Sequence, residues 1–178
     1  MKEWRKSSDF EVSPYTCALI AVEQDGYIVS LVIEDGEKFY VDSPPIKLMD
    51  QACKFFGSSL RGRIDGTKEV SGITHKPPIA VDPVNGMYFF PTISPQKKNC
   101  SWIAHSHIDH IRKCKGDSNT TIVFKDKYSI EVSVSKGSIW NQVQRTAQFR
   151  YKLDERLQTI PKQISREQVA ESFLSVHS

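Results

Sequence analysis

The sequence predicts an α+β protein: an N-terminal β-meander, further antiparallel hairpins, and then one long and one or two short helices. Three observations carry this. Asp25-Gly26 and Asp35-Gly36 punctuate short β-rich runs, and Asp-Gly between apolar runs marks a hairpin because both central turn positions can take positive φ. Asn85-Gly86 repeats the signal further along. Strands then give way to helical periodicity in the last third, the order expected of strands and helices segregated in one chain.

In chain order, residues 16–22, 27–33 and 38–41 form the meander. Pro44-Pro45 breaks the sheet. Residues 46–56 carry apolar side chains at 48, 49, 52, 53, 55 and 56, which fits a short helix ended by Gly57. Residues 58–78 are rich in Gly, Ser, Thr and charge. They are expected to form a loop with one helical turn capped by Ser58 or Ser59. Residues 79–81 and 87–90 flank Asp82-Pro83-Val84-Asn85-Gly86 as a second hairpin. Residues 100–111, 121–124 and 128–134 are strand-like. The longest helix is expected at 139–158, with Ser138 as N-cap and Pro161 as its stop, followed by a short helix at 164–176 capped by Ser165.

At 178 residues with 39% hydrophobic content, the chain can build a core. We expect a single α+β domain over 1–160 and a C-terminal helical tail at 161–178. No apolar run is long enough to span a bilayer, and MKEWRKSSDFE has no signal-peptide core. A cytoplasmic protein is expected, with no membrane partner. Cys17, Cys53, Cys100 and Cys114 are widely spaced without a CxxC pair, as reduced thiols would be.

The net charge of +3 hides an asymmetry. Residues 1–50 carry five Lys/Arg against ten Asp/Glu, and residues 51–178 carry nineteen against eleven. The acidic meander (1–43) is therefore followed by a basic portion (51–160) suited to a polyanion. On the long helix, Asn141, Arg145, Gln148, Lys152 and Arg156 share one face, and Ile139, Trp140, Val143, Ala147 and Leu157 share the opposite one. Arg150 falls on the apolar side, with Asp154 as its expected partner. Arg61 and Arg63 flank Gly62, which permits close backbone approach, and a guanidinium suits a phosphate or a narrow groove. Lys68, Lys76, Lys97 and Lys98 lie in neighbouring turns. Each of these groups also has the plain reading of solvated surface charge.

Enzyme signatures are weak. The phosphate-binding pattern GxxxxGK[ST] is absent, and no nucleophile elbow or carboxylate pair stands out. His105-Ser106-His107-Ile108-Asp109-His110 does match HxHxDH, a metal-binding signature. His105, His107, Asp109 and His110 would then serve a metal-dependent hydrolase. The further downstream ligands of a binuclear site are lacking: His75 is upstream and His177 is terminal. A polar strand face is the expected role, with no catalytic residues, no metal and no cofactor. Tyr88-Phe89-Phe90 is expected in the core.

The order of landmarks from Cys53 to His107 is specific: Gly57-Ser58-Ser59, Arg61-Gly62-Arg63, Asp65-Gly66-Thr67, His75-Lys76-Pro77-Pro78-Ile79, Asn85-Gly86, then Tyr88-Phe89-Phe90-Pro91. With Asn141-Gln142-Val143 and Arg145-Thr146-Ala147, it resembles the ComK competence transcription factors of Gram-positive bacteria. The resemblance implies a non-enzymatic activator of competence (DNA-uptake) genes. It would read paired AT-rich promoter boxes mainly through the minor groove, as a homo-oligomer, with RNA polymerase as a further partner and a nucleoid-associated location. The leading contacts would be Arg61, Arg63, Arg145, Lys152 and Arg156, supported by Lys68, Lys76, Lys97, Lys98 and Gln148. The tail is short for that family, which puts adaptor-delivered proteolysis in question. A protein-interaction module without DNA binding is the other alternative.

Overall fold

The computed structural model describes residues 3–176, with side chains to residue 159. The elements are β1 (Trp4–Arg5), β2 (Thr16–Gln24), β3 (Tyr27–Glu34), β4 (Glu37–Val41), α1 (Pro45–Phe55), α2 (Leu60–Ser71), β5 (Ile79–Asp82), β6 (Met87–Pro91), β7 (Trp102–Ala104), β8 (Ile108–Lys113), β9 (Thr120–Phe124), β10 (Ser129–Val132) and α3 (Lys136–Val176). The mixed α+β class is as the sequence predicts. A seven-stranded sheet runs β1-β4-β3-β2-β7-β6-β5, and a three-stranded sheet runs β10-β9-β8.

The meander turns have the expected chemistry. Asp25 and Gly26 sit at φ 52° and 80°, and Asp35 and Gly36 at 46° and 77°, the doubly left-handed pair that matches strand twist. The meander is not separate from the rest. Ala18 and Leu19 of β2 pair with Ile103 and Trp102 of β7, which carries the sheet into the second hairpin. β1 has no strand signature, yet it pairs in parallel with β4, and Trp4 stacks on Tyr40 with centroids 5.1 Å apart.

Period-2 alternation divides the core. Leu19, Val32, Phe39, Met87, Phe89 and Trp102 point to one face, where Leu48, Met49, Ala52 and Cys53 of α1 and Leu60 of α2 cover them. Ala18, Ile33, Phe90 and Ile103 point to the other face and meet Ile122, Phe124, Ile130 and Val132 of the small sheet and Ile139 of α3. A third cluster, Ile73, Ala80, Tyr88 and Phe149, joins α3 to the β5–β6 end. The Tyr88-Phe89-Phe90 run is buried throughout.

Pro45 occupies the first turn of α1, where a missing N–H costs nothing. Gly57 ends that helix at φ 78°. Its N–H reaches the Lys54 carbonyl at 3.0 Å, and the Ser58 N–H reaches Cys53 at 2.9 Å, a Schellman closure.

Four expectations are corrected. Residues 60–71 are a full helix, not a loop with one turn. Ser59 caps it by accepting from Gly62 N–H at 3.0 Å, and a Cβ on Gly62 would stand 3.1 and 3.2 Å from the Ser58 and Ser59 hydroxyls. The strand expected over 100–111 is broken by a 3-10 turn at His105–His107. α3 begins at Lys136, one turn early, with Ser135 Oγ accepting from Ser138 N–H at 3.3 Å. It also continues through Pro161 to Val176 as one helix of 41 residues. Proline removes one helical hydrogen bond and crowds the preceding turn, which can kink a helix without ending it. The side chains of a cap at Ser165 lie outside the described residues.

Candidate nucleic-acid interface

Two cationic surfaces emerge, joined by α2. The first surrounds a cleft of about 750 Å³ between α1, α2 and the β6–β7 loop. Lys47 and Lys54 come from α1, and Arg61 and Lys68 from α2. In each pair the spacing of seven puts both cations on one helical face. Ile46, Leu60, Ile64 and Pro95 form the apolar floor. Exposed Lys97 and Lys98 follow Pro95 and Gln96 in the far wall. The charge is partly balanced within the cleft: Lys54 meets Asp50 at 2.8 Å and Lys68 meets Asp65 at 3.9 Å. The Lys54 ammonium and the Leu60 N–H, which donates at 3.0 Å, hold the Asp50 carboxyl below the usual aspartate range. Lys47 and Lys54 were missed in the sequence, although the wheel of the 46–56 helix opposes them to its apolar positions.

The second surface runs along α3. Asn141, Gln148 and Arg156 are exposed, and Arg145 and Lys152 are half-buried. Lys152 and Arg156 lie beside Val70 near the C-terminal end of α2. The buried side of α3 differs from the expected one. Ile139, Gln142, Thr146 and Phe149 face inwards, whereas Trp140, Ala147 and Leu157 are exposed. The wheel is misphased because two of the inward residues are polar. Thr146 donates to the Gln142 carbonyl at 2.6 Å, and the Gln142 amide donates to Pro91 at 2.8 Å and to Lys76 at 3.0 Å. A fully satisfied amide is tolerated in a core.

The predicted cations therefore differ in reach. Arg61 is exposed on the cleft. Arg63 sits on the opposite side of α2. Its Nη2 points to the Val81 carbonyl at 3.4 Å, and its charge opposes the burial-driven rise in the Cys53 pKa. Arg145 donates to the carbonyl of His75 and, at 3.0 Å, to Gln142 Oε1. Partial burial pushes its guanidinium pKa down. Lys76 stands in the loop that follows α2, at φ 45°.

The HxHxDH segment does not assemble a metal-ligand set. His105 Nε2 is 3.1 Å from the Val143 carbonyl, His107 Nε2 is 2.7 Å from the Pro14 carbonyl, and His110 Nδ1 is 2.8 Å from Asp109 Oδ2. The rings are spread over a 3-10 turn and β8 and face different neighbours. Among the described residues, the three His/Cys/Asp/Glu side chains whose ligand atoms all lie within 4.8 Å of one another are Cys114, Asp117 and Glu131 instead. Arg150 does not pair with Asp154. It donates to Ser106 Oγ at 3.0 Å, lies 3.1 Å from His105 Nδ1 and stacks 4.7 Å over the Tyr88 ring. No described helix is long and apolar enough to cross a membrane.

Comparison with known proteins covers both surfaces. The family model described as ComK protein matches residues 7–158. The competence transcription factor of Bacillus subtilis (strain 168) is 42% identical over 154 residues, which cover 86% of this chain and 80% of that protein. No solved structure matches. The matched span runs from ahead of the meander to the exposed part of α3 and takes in the cleft, the loop after α2 and the polar face of α3. The chain belongs to the ComK family.

Proposed function

We propose that this protein is a DNA-binding transcriptional activator of competence genes that reads AT-rich boxes mainly through the minor groove. The observation that carries this reading is the 42% identity to a competence transcription factor across most of both chains. The geometry supports it with two cationic surfaces on either side of α2, drawn, apart from Lys47, from the basic part of the sequence. Residues 1–160 act as the DNA-binding domain and 161–178 as a helical tail. The acidic meander faces away from DNA. The protein works in the cytoplasm on the nucleoid, as a homo-oligomer that engages RNA polymerase.

Phosphate contacts supply most of the affinity in such a complex, and they fix register without reading sequence. Lys47, Lys54, Arg61, Lys68, Lys97 and Lys98 around the cleft, and Gln148, Arg156 and the half-buried Lys152 on α3, suit that task because their side chains reach solvent. AT preference then arises where the narrow minor groove of A-tracts concentrates negative potential. A shift assay across a salt series tests this. With six or so phosphates neutralised, affinity should fall about a thousandfold between 50 and 200 mM salt. Weak, salt-independent binding to every duplex would reject the DNA reading.

A further inference from the structure

The minor groove of B-DNA is only about 6 Å wide, whereas an α-helix with its side chains is about 10–12 Å across. Neither α2 nor α3 fits its backbone into that groove at its undeformed width. An extended loop tip does. This changes the standing of Arg61-Gly62-Arg63, which lies inside a helix, and directs attention to the loops between elements.

The loop over 72–78 is unlike the others. It leaves α2 through Gly72 at φ 73° and is held from outside at successive points. Ile73 is buried in the α3 cluster. The His75 carbonyl accepts from Arg145, the Lys76 carbonyl from Gln142 at 3.0 Å, and the Pro78 carbonyl from Thr67 Oγ1 at 2.6 Å. Pro77 and Pro78 are themselves buried and stiffen the exit. Lys76 is held at φ 45°, a conformation that costs a non-glycine residue free energy and persists only where its surroundings enforce it. Yet Thr74 and His75 are exposed and Lys76 is partly so. A strained, multiply anchored backbone thus carries a polar, basic tip of three residues. By contrast, the loop bearing Lys97 and Lys98 is closed by its own backbone bonds, Lys97 N–H to Ser94 and Cys100 N–H to Lys97, both at 3.0 Å.

We infer that Thr74-His75-Lys76 is the segment that enters the minor groove, and that Gln142 and Arg145 are positioning residues that hold it there rather than DNA contacts themselves. This rests on the proposed DNA-binding function. Rigidity matters because a preformed tip avoids the ordering cost of binding. The helix supplying the anchors is also the one whose Gln148, Lys152 and Arg156 lie free for phosphates, so a single element would set both the depth of the loop and the register of the backbone contacts.

The test measures affinity for an AT-box duplex and a GC-only duplex at one salt concentration, together with Tm, for wild type and three variants. Lys76→Gly relieves the left-handed strain and removes the cation. It should keep or raise Tm while lowering AT-box affinity by about tenfold and reducing the AT-to-GC ratio. Gln142→Ala should lower the ratio through loss of the anchor. Arg145→Lys keeps the charge but not the two-donor geometry. It should also lower the ratio, whereas a direct phosphate contact by Arg145 would be largely rescued by lysine. A wild-type protein without AT preference sinks the DNA reading and this assignment with it. Wild-type preference that survives intact in Lys76→Gly, or affinity for both duplexes that falls equally, overturns the assignment alone.

Discussion

Arg150 and His105 are joined by a contact of 3.1 Å between Nη1 and Nδ1, and this fixes the state of the imidazole. A guanidinium can only donate, so His105 Nδ1 accepts. Its Nε2 faces the Val143 carbonyl at 3.1 Å and must carry the proton. The ring is therefore neutral, with both nitrogens committed to α3. Burial, and then the Arg150 charge, push its pKa below the ordinary 6.5.

Acid should weaken the fold through this residue. Below about pH 6.5 the unfolded chain binds a proton at His105 that the folded chain refuses, so stability falls as pH drops towards the depressed folded value. Denaturant midpoints at about pH 7.5 and 5.5 should differ, and His105→Gln should flatten the difference. An unchanged pH slope in the variant would show that His105 is not the titrating group.

Arg61 and Arg63 should behave differently despite their spacing. Arg63→Ala removes the contact to the Val81 carbonyl and the packing of its stem, costing about 1 kcal/mol of stability and leaving the salt slope of DNA binding intact. Arg61→Ala should leave Tm unchanged and reduce that slope by about 1. The opposite pattern would place Arg63, not Arg61, at the phosphates.

Replacing His107 and His110 together by alanine should leave AT-duplex affinity within a few fold. His107 contributes a bond to Pro14 and His110 one to its neighbour Asp109, so only modest destabilisation is expected. Stoichiometric zinc in chelator-washed wild type, lost in the variant, would restore the metal reading.

What was legible in the sequence follows from which signals are local. The Asp-Gly turns depend on two adjacent residues, and both took the expected left-handed geometry. Ser59 could be recognised as a cap, but the helix it starts contains Gly62 and Gly66. Their low intrinsic propensity was outweighed by packing of Leu60, Ile64 and Val70 on the core. The short edge strand at Trp4–Arg5 was invisible because its only partner is 36 residues away. The face of α3 was misread because Gln142 and Thr146 are buried for their hydrogen bonds, a tertiary requirement that hydropathy does not encode. The same reason hid the anchors of the 72–78 loop: Lys76 was visible as a cation, but what holds it is 66 residues downstream.

Thiol reactivity offers a check of the core. Burial pushes Cys17 and Cys53 up to about 12 and Cys100 up to about 11, while Cys114 is half-exposed at the end of β8. A thiolate-specific reagent at neutral pH should label one cysteine per folded chain quickly and all four after denaturation. Rapid labelling of two or more in the folded protein would contradict the burial of Cys17, Cys53 and Cys100 in the core.

Minor-groove reading itself is best tested with inosine. Replacing each A·T pair of an AT box by I·C changes the major-groove pattern to that of G·C but leaves the minor groove without the guanine amino group. Affinity for the I·C box should stay within a few fold of that for the A·T box, and affinity for the G·C box should fall by tenfold or more. Equal weakening on I·C and G·C boxes would place the contacts in the major groove and contradict the account.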